Sequence, residues 1–258
     1  MSDVAAPPAD AAEPGPRPIT RAGNHDQILA MALQLPRGRA LDAPCGQGAL
    51  AVRLADAGFD VACADVDPSL FRAPGLAVRA AELNQGKLPF EDGRFELVVS
   101  VNGLHRLWNP THAVCEYARV LAPGVELLCS VPNYAHLARR VRFLIGGGIA
   151  RNISRLATEH GHEEPAANFR QPLLLSQILD AFDAAGLEFG GLEAAGRKRS
   201  GPGWRALAGF VRLAARFSSG RSREAFASQL GNSDAVLLGS HHLYLRARKP
   251  AGPPTRRG

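Results

Sequence analysis

The stretch LDAPCGQGALAVRLADAGFDVACADVD, from Leu41 to Asp67, limits what this chain can fold into more than any other. It reads as an apolar strand, a glycine turn, an amphipathic helix and a second strand closing on an acid. Two strands joined by a crossover helix pair in parallel, in a sheet that helices cover on both faces. The alternation continues along the chain. Strand Arg39–Asp42, helix Ala49–Ala57, strand Asp60–Asp65, a short strand around Ala77–Ala80 and strand Phe95–Val101 follow one another. Helix THAVCEYARVL then leads into strand Val125–Val131. The near-continuous apolar runs FELVVSV and VELLCSV predict strands buried on both sides. Before this core, NHDQILAMALQL predicts a helix with Asn24 as its N-cap. After it come a helix in PLLLSQILDAFDAAG, a strand near Leu187–Leu192 and a helical run WRALAGFVRLAARF. The final HHLYLRAR alternates in the manner of an exposed edge strand.

Residues 1–22 are Pro, Ala and acid without apolar periodicity and predict a disordered tail, as do residues 251–258. Residues 23–250 form one domain, with a cofactor-binding core at 23–135. Segments 137–170 and 194–240 are too long for plain loops and are expected to cover the substrate site. Apolar content of 46% and charged content of 21% allow a full core. No apolar run approaches the roughly 18 residues of a membrane span, and no basic-then-apolar leader opens the sequence. The expected location is the cytoplasm. Cys45, Cys63, Cys115 and Cys129 lack ligand spacing, so no metal is expected and most of them predict buried small hydrophobes. Charge is uneven. Residues 1–136 carry 11 Lys and Arg against 15 Asp and Glu, whereas residues 137–258 carry 19 against 9. A basic second half suits an anionic substrate, a membrane surface or nucleic acid.

GQGALA also fits the dinucleotide pattern GxGxxA, so the acids on either side of the glycines must decide the ligand. A carboxylate ending the first strand would face a pyrophosphate and repel it, and Asp42 stands at that place. S-adenosylmethionine has no phosphate, and its α-ammonium and sulfonium groups would welcome an acid there. Gly46 and Gly48 allow close backbone approach. Asp65, 17 residues past Gly48, is placed to accept both ribose hydroxyls.

ALDAPCGQG, ACADVDPSL, GKLPFEDGRFELVVSVNGLHRL and ARVLAPGVELLCSVPN occur in that order from about Ile28 to Asn133. They resemble the successive motifs of class I S-adenosylmethionine-dependent methyltransferases of the broad type 11/12 group. The resemblance implies an α/β, Rossmann-like sheet of seven strands in the order 3-2-1-4-5-7-6. Strand seven, HHLYLRARKP, would run antiparallel, with a helical insertion over the active site. Pro44 departs from the pattern, replacing the first glycine of the turn. Carried over by position, Asp42 and the backbone of Ala43, Pro44, Cys45, Gly46 and Gly48 would hold the methionine moiety. Asp65 would bind ribose and Val66 would lie against adenine. The adenine amino group would meet Glu82, Leu83 N–H or Asn84, and Val101 and Asn102 would floor the transfer site.

Methyl transfer needs a base only where the acceptor is a weak nucleophile. His105, after strand four, and His136 with Tyr134, after strand five, sit at the carboxyl edge where a base or substrate contact belongs. Arg139, Arg140 and Arg142 could meet an anionic group, and His160 and His162 form a further histidine pair. Strand four ends in SVNGLHRL, which lacks both the Pro-Pro-aromatic motif of amino-directed nucleobase methylation and a thiolate for cytosine C5 attack. Nucleic acid is therefore a minor expectation. The resemblance implies methyl transfer to a small-molecule or glycan-type acceptor, anionic in character and methylated at oxygen. The alternatives are a non-catalytic protein that binds S-adenosylmethionine as a partner or regulator, and a nucleic-acid methyltransferase.

Overall fold

The computed structural model describes residues 15–148, 170–195, 201–225 and 227–252, so His160 and His162 lie outside the described residues. Among the described residues, seven strands form a single sheet. They are β1 (Arg39–Asp42), β2 (Asp60–Asp65), β3 (Val78–Ala80), β4 (Phe95–Val101), β5 (Leu121–Pro132), β6 (Glu188–Glu193) and β7 (His242–Arg248). Their order across the sheet is β3-β2-β1-β4-β5-β7-β6. The first five pair in parallel, and β7 runs antiparallel to both β5 and β6.

This corrects the expectation of an exposed edge for HHLYLRAR. β7 lies inside the sheet, pairing Cys129 with Leu245 on one side and Leu192 with Leu245 on the other. Of its alternating polar residues only Arg248, at the end of the strand, is exposed. Arg246 pairs with Glu126 of β5 at 3.3 Å and Glu193 of β6 at 3.7 Å, while the Tyr244 hydroxyl donates to Asn24 Oδ1 at 2.6 Å.

Helix α1 (Asn24–Ala32) and helix α2 (Ala49–Asp56) cover one face of the sheet, and α3 (Pro110–Val120) with α5 (Leu175–Ala184) cover the other. Alternate strand residues serve opposite faces. Ala40, Leu97 and Val99 pack with Ile28, Leu50 and Leu54, whereas Leu41 and Val98 pack with Val114, Tyr117 and Phe182. Each such buried Leu, Ile, Val or Phe side chain contributes about 1.5–3 kcal/mol. The expected N-cap of α1 is also corrected. Gly23 occupies the cap position in a left-handed conformation, and buried Asn24 instead uses its side chain on Thr20 and Tyr244.

Past β5 lies a satellite of helices: α4 (Leu137–Gly146), α6 (Pro202–Arg216), α7 (Gly220–Ala225), α8 (Ser228–Gly231) and α9 (Asp234–Leu237). Leu137, Ala208, Leu237 and Leu238 form its small core, with Trp204, Leu207 and Val211 packed around them. Asn133 Nδ2 donates to the carbonyls of Val236 and Ser240 and so ties the end of β5 to this cap. Arg140 donates to the Ala135 and Gly231 carbonyls and to Asn232 Oδ1.

Candidate functional site

In a parallel sheet, ligands bind beyond the carboxyl ends of the strands where the order reverses, here between β1 and β4. A surface groove of about 440 Å³ lined by Arg37, Arg39, Asp60 and Glu96 lies at the opposite, amino edge and offers no helix N-terminus. The chemistry collects at the other edge.

The turn after β1 is fixed from below. Ala43 N–H donates to Val99 O at 3.0 Å and Cys45 N–H to Ala64 O at 3.1 Å, so the turn is pinned to both neighbouring strands. The Tyr117 hydroxyl, fully buried on α3, donates to Ala43 O at 2.9 Å. Burial pushes that phenol up from its ordinary value, so it remains a donor. The Ala43–Pro44 peptide bond is cis. Gly48 has φ +81° and no room for a side chain. A Cβ there would stand 2.6 Å from Phe71 and 2.7 Å from Ala73. Its glycine is required both by backbone conformation and by close approach.

Asp42 is 1% exposed, and its Oδ2 has no hydrogen-bond partner. Burial raises its pKa well above the ordinary carboxylate range, and the neighbouring Asp65 charge adds to this. The N–H of Ala51, in the first turn of α2, favours the ionised form and offsets part of the rise. Asp65 accepts from Gly46 N–H at 2.7 Å and Asp67 N–H at 3.2 Å, and burial raises its pKa as well. Beside it Val66 is 69% exposed, an apolar side chain left open at the strand end.

Beyond β4, Asn102 adopts φ +54°, and its N–H donates to the Ser130 carbonyl at 3.1 Å. Asparagine is among the few side chains that accept this left-handed region. Its Nδ2 donates to Thr20 Oγ1, while its Oδ1 is buried without a partner. The adjacent strand ends thus present two buried, unmatched acceptor oxygens, Asp42 Oδ2 and Asn102 Oδ1. Burying such atoms unpaired is costly, and a cationic, donor-rich ligand relieves the cost. Residues 15–22, read from sequence as tail, come over this turn. Arg17 N–H donates to Gln47 Oε1 at 2.9 Å, and Ile19 lies against Gly46.

In the AELN stretch, the Glu82 carboxylate accepts from the N–H groups of Asn84 and Gln85, and Asn84 Oδ1 accepts from Trp108 N–H and Asn109 N–H. These two side chains brace the loop, and Leu83 is buried between them. Val101 is half-buried at the end of β4.

His105 is 2% exposed on a short 3-10 turn, with Nε2 3.2 Å from Arg170 Nη1. The guanidinium can only donate, so Nε2 accepts and the proton sits on Nδ1. Burial, then the charges of Arg170 and Arg106, lower its pKa to about 3. Arg170 is itself lowered by burial and then by Arg106. Its Nε is buried without a partner, and Tyr134 lies within electrostatic reach of it. Gln171 N–H donates to His105 O at 2.9 Å, and its side chain donates to Leu107 O. His136 is buried and caps α4, accepting Ala138 N–H on Nδ1 at 3.1 Å. Arg139 stacks on Tyr134 at 4.5 Å.

The fold therefore brings Asp42, Asp65, Val66, Val101 and Asn102 to one strand edge. It places His105 and Tyr134 around Arg170 and gives His136 a helix-capping position. Arg140, expected at an anion, serves the satellite helices instead. Sequence reasoning missed Tyr117, Arg106 and Arg170. Arg106 adjoins His105 in NGLHRL, a signal within reach, whereas nothing near Arg170 in sequence announces its partner. Among the described residues, no three His, Cys, Asp or Glu side chains gather as a metal set, and no helix is long and apolar enough to cross a membrane.

Residues 41–129 match the family described as Methyltransferase domain. A demethylmenaquinone methyltransferase of Thermus thermophilus is 36% identical over 111 residues, covering 40% of this chain and 50% of that protein. A 27-O-demethylrifamycin SV methyltransferase of Amycolatopsis mediterranei is 33% identical over 145 residues, covering 49% of this chain and 53% of that protein. The chain thus spans about half the length of the curated relatives it matches. The solved structure of an S-adenosylmethionine-dependent methyltransferase from Archaeoglobus fulgidus superimposes with a TM-score of 0.54. It is 12% identical and covers 87% of this chain and 94% of its own, a likeness of fold. The strand order and the antiparallel β7 are those of the class I S-adenosylmethionine-dependent methyltransferase fold, and residues 41–129 carry a methyltransferase domain.

Proposed function

We propose that the protein transfers a methyl group from S-adenosylmethionine to the oxygen of a small molecule bearing an acidic hydroxyl, in the cytoplasm. The observation that carries this reading is the pair of buried, unmatched acceptors Asp42 Oδ2 and Asn102 Oδ1 beside the glycine turn. They suit a ligand that carries an ammonium group, and the same carboxylate disfavours a pyrophosphate. Asp42, the Ala43–Gly48 backbone and Asn102 would hold the methionine moiety, Asp65 the ribose and Val66 the adenine ring. When bound, the cofactor supplies an electrophilic methyl group on sulfur.

The chain's own contribution is chiefly position and charge. His105, with a pKa of about 3, is a poor proton acceptor near neutrality. Arg170, lowered by burial and then by the Arg106 charge, favours an oxyanion beside it. An acceptor whose hydroxyl ionises readily, a phenol or enol, would arrive as its own nucleophile. Both relatives are named for small-molecule acceptors, and one of the two for a compound demethylated at an oxygen. A glycan acceptor gains no comparable support, because the arginines expected to meet it include Arg140, which is engaged with the satellite helices.

Calorimetric titration with S-adenosylmethionine, S-adenosylhomocysteine and NAD tests the cofactor. Binding of the first two and not the third is expected, and binding of NAD alone would overturn the assignment. Release of S-adenosylhomocysteine against a panel of phenols, enols and aliphatic alcohols then tests the acceptor class. Turnover of alcohols in preference to phenols would refute the oxyanion argument.

A further inference from the structure

Helix α6 is divided lengthwise into three sectors. Trp204, Leu207, Ala208 and Val211 turn inward onto the satellite core. Phe210, Leu213 and Phe217 recur on another side at the spacing of a helical face and are 66%, 52% and 85% exposed. Ala206 and Ala214 share that exposed face. Arg205, Arg212 and Arg216 line the sector between, with Arg212 paired to Asp234 at 2.5 Å. A soluble helix ordinarily turns charge toward water, so a second apolar face with large aromatics at its centre needs an occupant. The charge around it says which kind. Residues 202–223 contain five arginines, Arg205, Arg212, Arg216, Arg221 and Arg223, and no acid. At the C-terminal end of α4, Phe143, Leu144 and Ile145 are likewise exposed, at 53%, 84% and 81%.

We propose that α6 is a membrane-surface helix that lies on an anionic lipid bilayer, with Phe210, Leu213 and Phe217 in the acyl boundary and Arg205 and Arg216 at the headgroups. Arginine beside phenylalanine and leucine on one helix is the pattern of interfacial binding, in which apolar burial and attraction to anionic lipid act together. Fifteen residues at about 1.5 Å each give a length of about 22 Å, enough to lie along the surface and too short to cross. A second copy of the chain is a poorer occupant, because a symmetric contact through this face would set arginine rows against each other. Nucleic acid would leave the phenylalanines without an apolar phase.

The test is sedimentation of the full-length protein with vesicles of phosphatidylcholine alone and of phosphatidylcholine containing phosphatidylglycerol. Binding to the anionic vesicles only, weakened by added salt, is expected. The Phe210→Ser, Phe217→Ser double variant should bind at least about tenfold more weakly at equal charge, in line with the transfer of two large apolar side chains. Arg205→Gln with Arg216→Gln should lose about fivefold per charge on anionic vesicles. All four positions are exposed or at the helix surface, so unchanged melting temperature and unchanged S-adenosylmethionine binding confirm that the variants are folded. Failure of the wild-type protein to sediment with anionic vesicles would overturn the proposal. So would phenylalanine variants that bind like wild type, since adsorption would then be charge alone. Sedimentation velocity supplies a further arm, in which a wild-type dimer made monomeric by the phenylalanine substitutions assigns the face to a second copy instead.

Discussion

Replacing Asp42 by Asn keeps the shape of the side chain, removes its charge and turns one acceptor oxygen into a donor, which separates the two parts proposed for this carboxylate. In the free protein it is a burden. Burial and the Asp65 charge raise its folded pKa well above the unfolded value, so folding is favoured most where the group is protonated in both states. That contribution is full below about pH 3.9 and is lost as pH rises through the raised folded pKa. Each unit of that rise is worth about 1.36 kcal/mol, and each kcal/mol moves the melting temperature of a chain this size by about 2–4 °C. The Asn variant should therefore melt higher than wild type at about pH 8 and alike at about pH 4. In the complex the sign reverses. A hydrogen bond to a charged partner is worth about 1.5–3 kcal/mol, so the variant should bind S-adenosylmethionine roughly 10–150-fold more weakly. S-adenosylhomocysteine should lose affinity equally if the α-ammonium is the partner, and much less if the sulfonium is. Wild-type affinity should also rise with pH, because a cationic ligand expels the proton that burial retains, while the variant's stays flat. Calorimetry at two pH values and thermal melts of both proteins measure all of this. Undiminished affinity in the variant, or a lower melting temperature at pH 8, would refute the assignment of Asp42.

Gly48→Ala forces a Cβ to within 2.6 Å of Phe71 at φ +81°. About 1–2 kcal/mol for the left-handed backbone and about 1–3 for overpacking predict a melting temperature lower by roughly 4–20 °C. Arg170→Gln removes the guanidinium beside His105 without touching the glycine turn. Acceptor KM should rise at least about tenfold while the cofactor dissociation constant stays put, and steady-state kinetics with parallel calorimetry check the split. His105 is held neutral with a folded pKa of about 3, below its unfolded value. Its stabilising contribution is present above about pH 6.5 and is lost as pH falls toward 3, so His105→Gln should flatten the acid limb of a melting-temperature profile. The same variant should leave the pH dependence of kcat without a missing limb near neutrality, and the appearance of one would make His105 a base.

The parallel core was legible because both of its faces are apolar, and a strand buried on two sides leaves an unbroken run such as FELVVSV. Asp42 was legible for a related reason. A charge that interrupts such a run at its end has no solvent to face, so its presence asks for a ligand. β7 was misread because alternation normally means one solvated face. Here the polar members are satisfied by partners distant in sequence: Arg246 reaches Glu126 and Glu193 sideways, and Tyr244 reaches Asn24 on α1. The same distance hid the supports of the site. Tyr117 holds Ala43 across 74 positions, and Arg170 meets His105 across 65. No local periodicity encodes such contacts, since each depends on where two separate elements finish after packing. Position within a strand therefore announced the groups proposed to meet the cofactor. The groups proposed to meet the acceptor became visible only once the chain beyond β5 had folded back over the sheet.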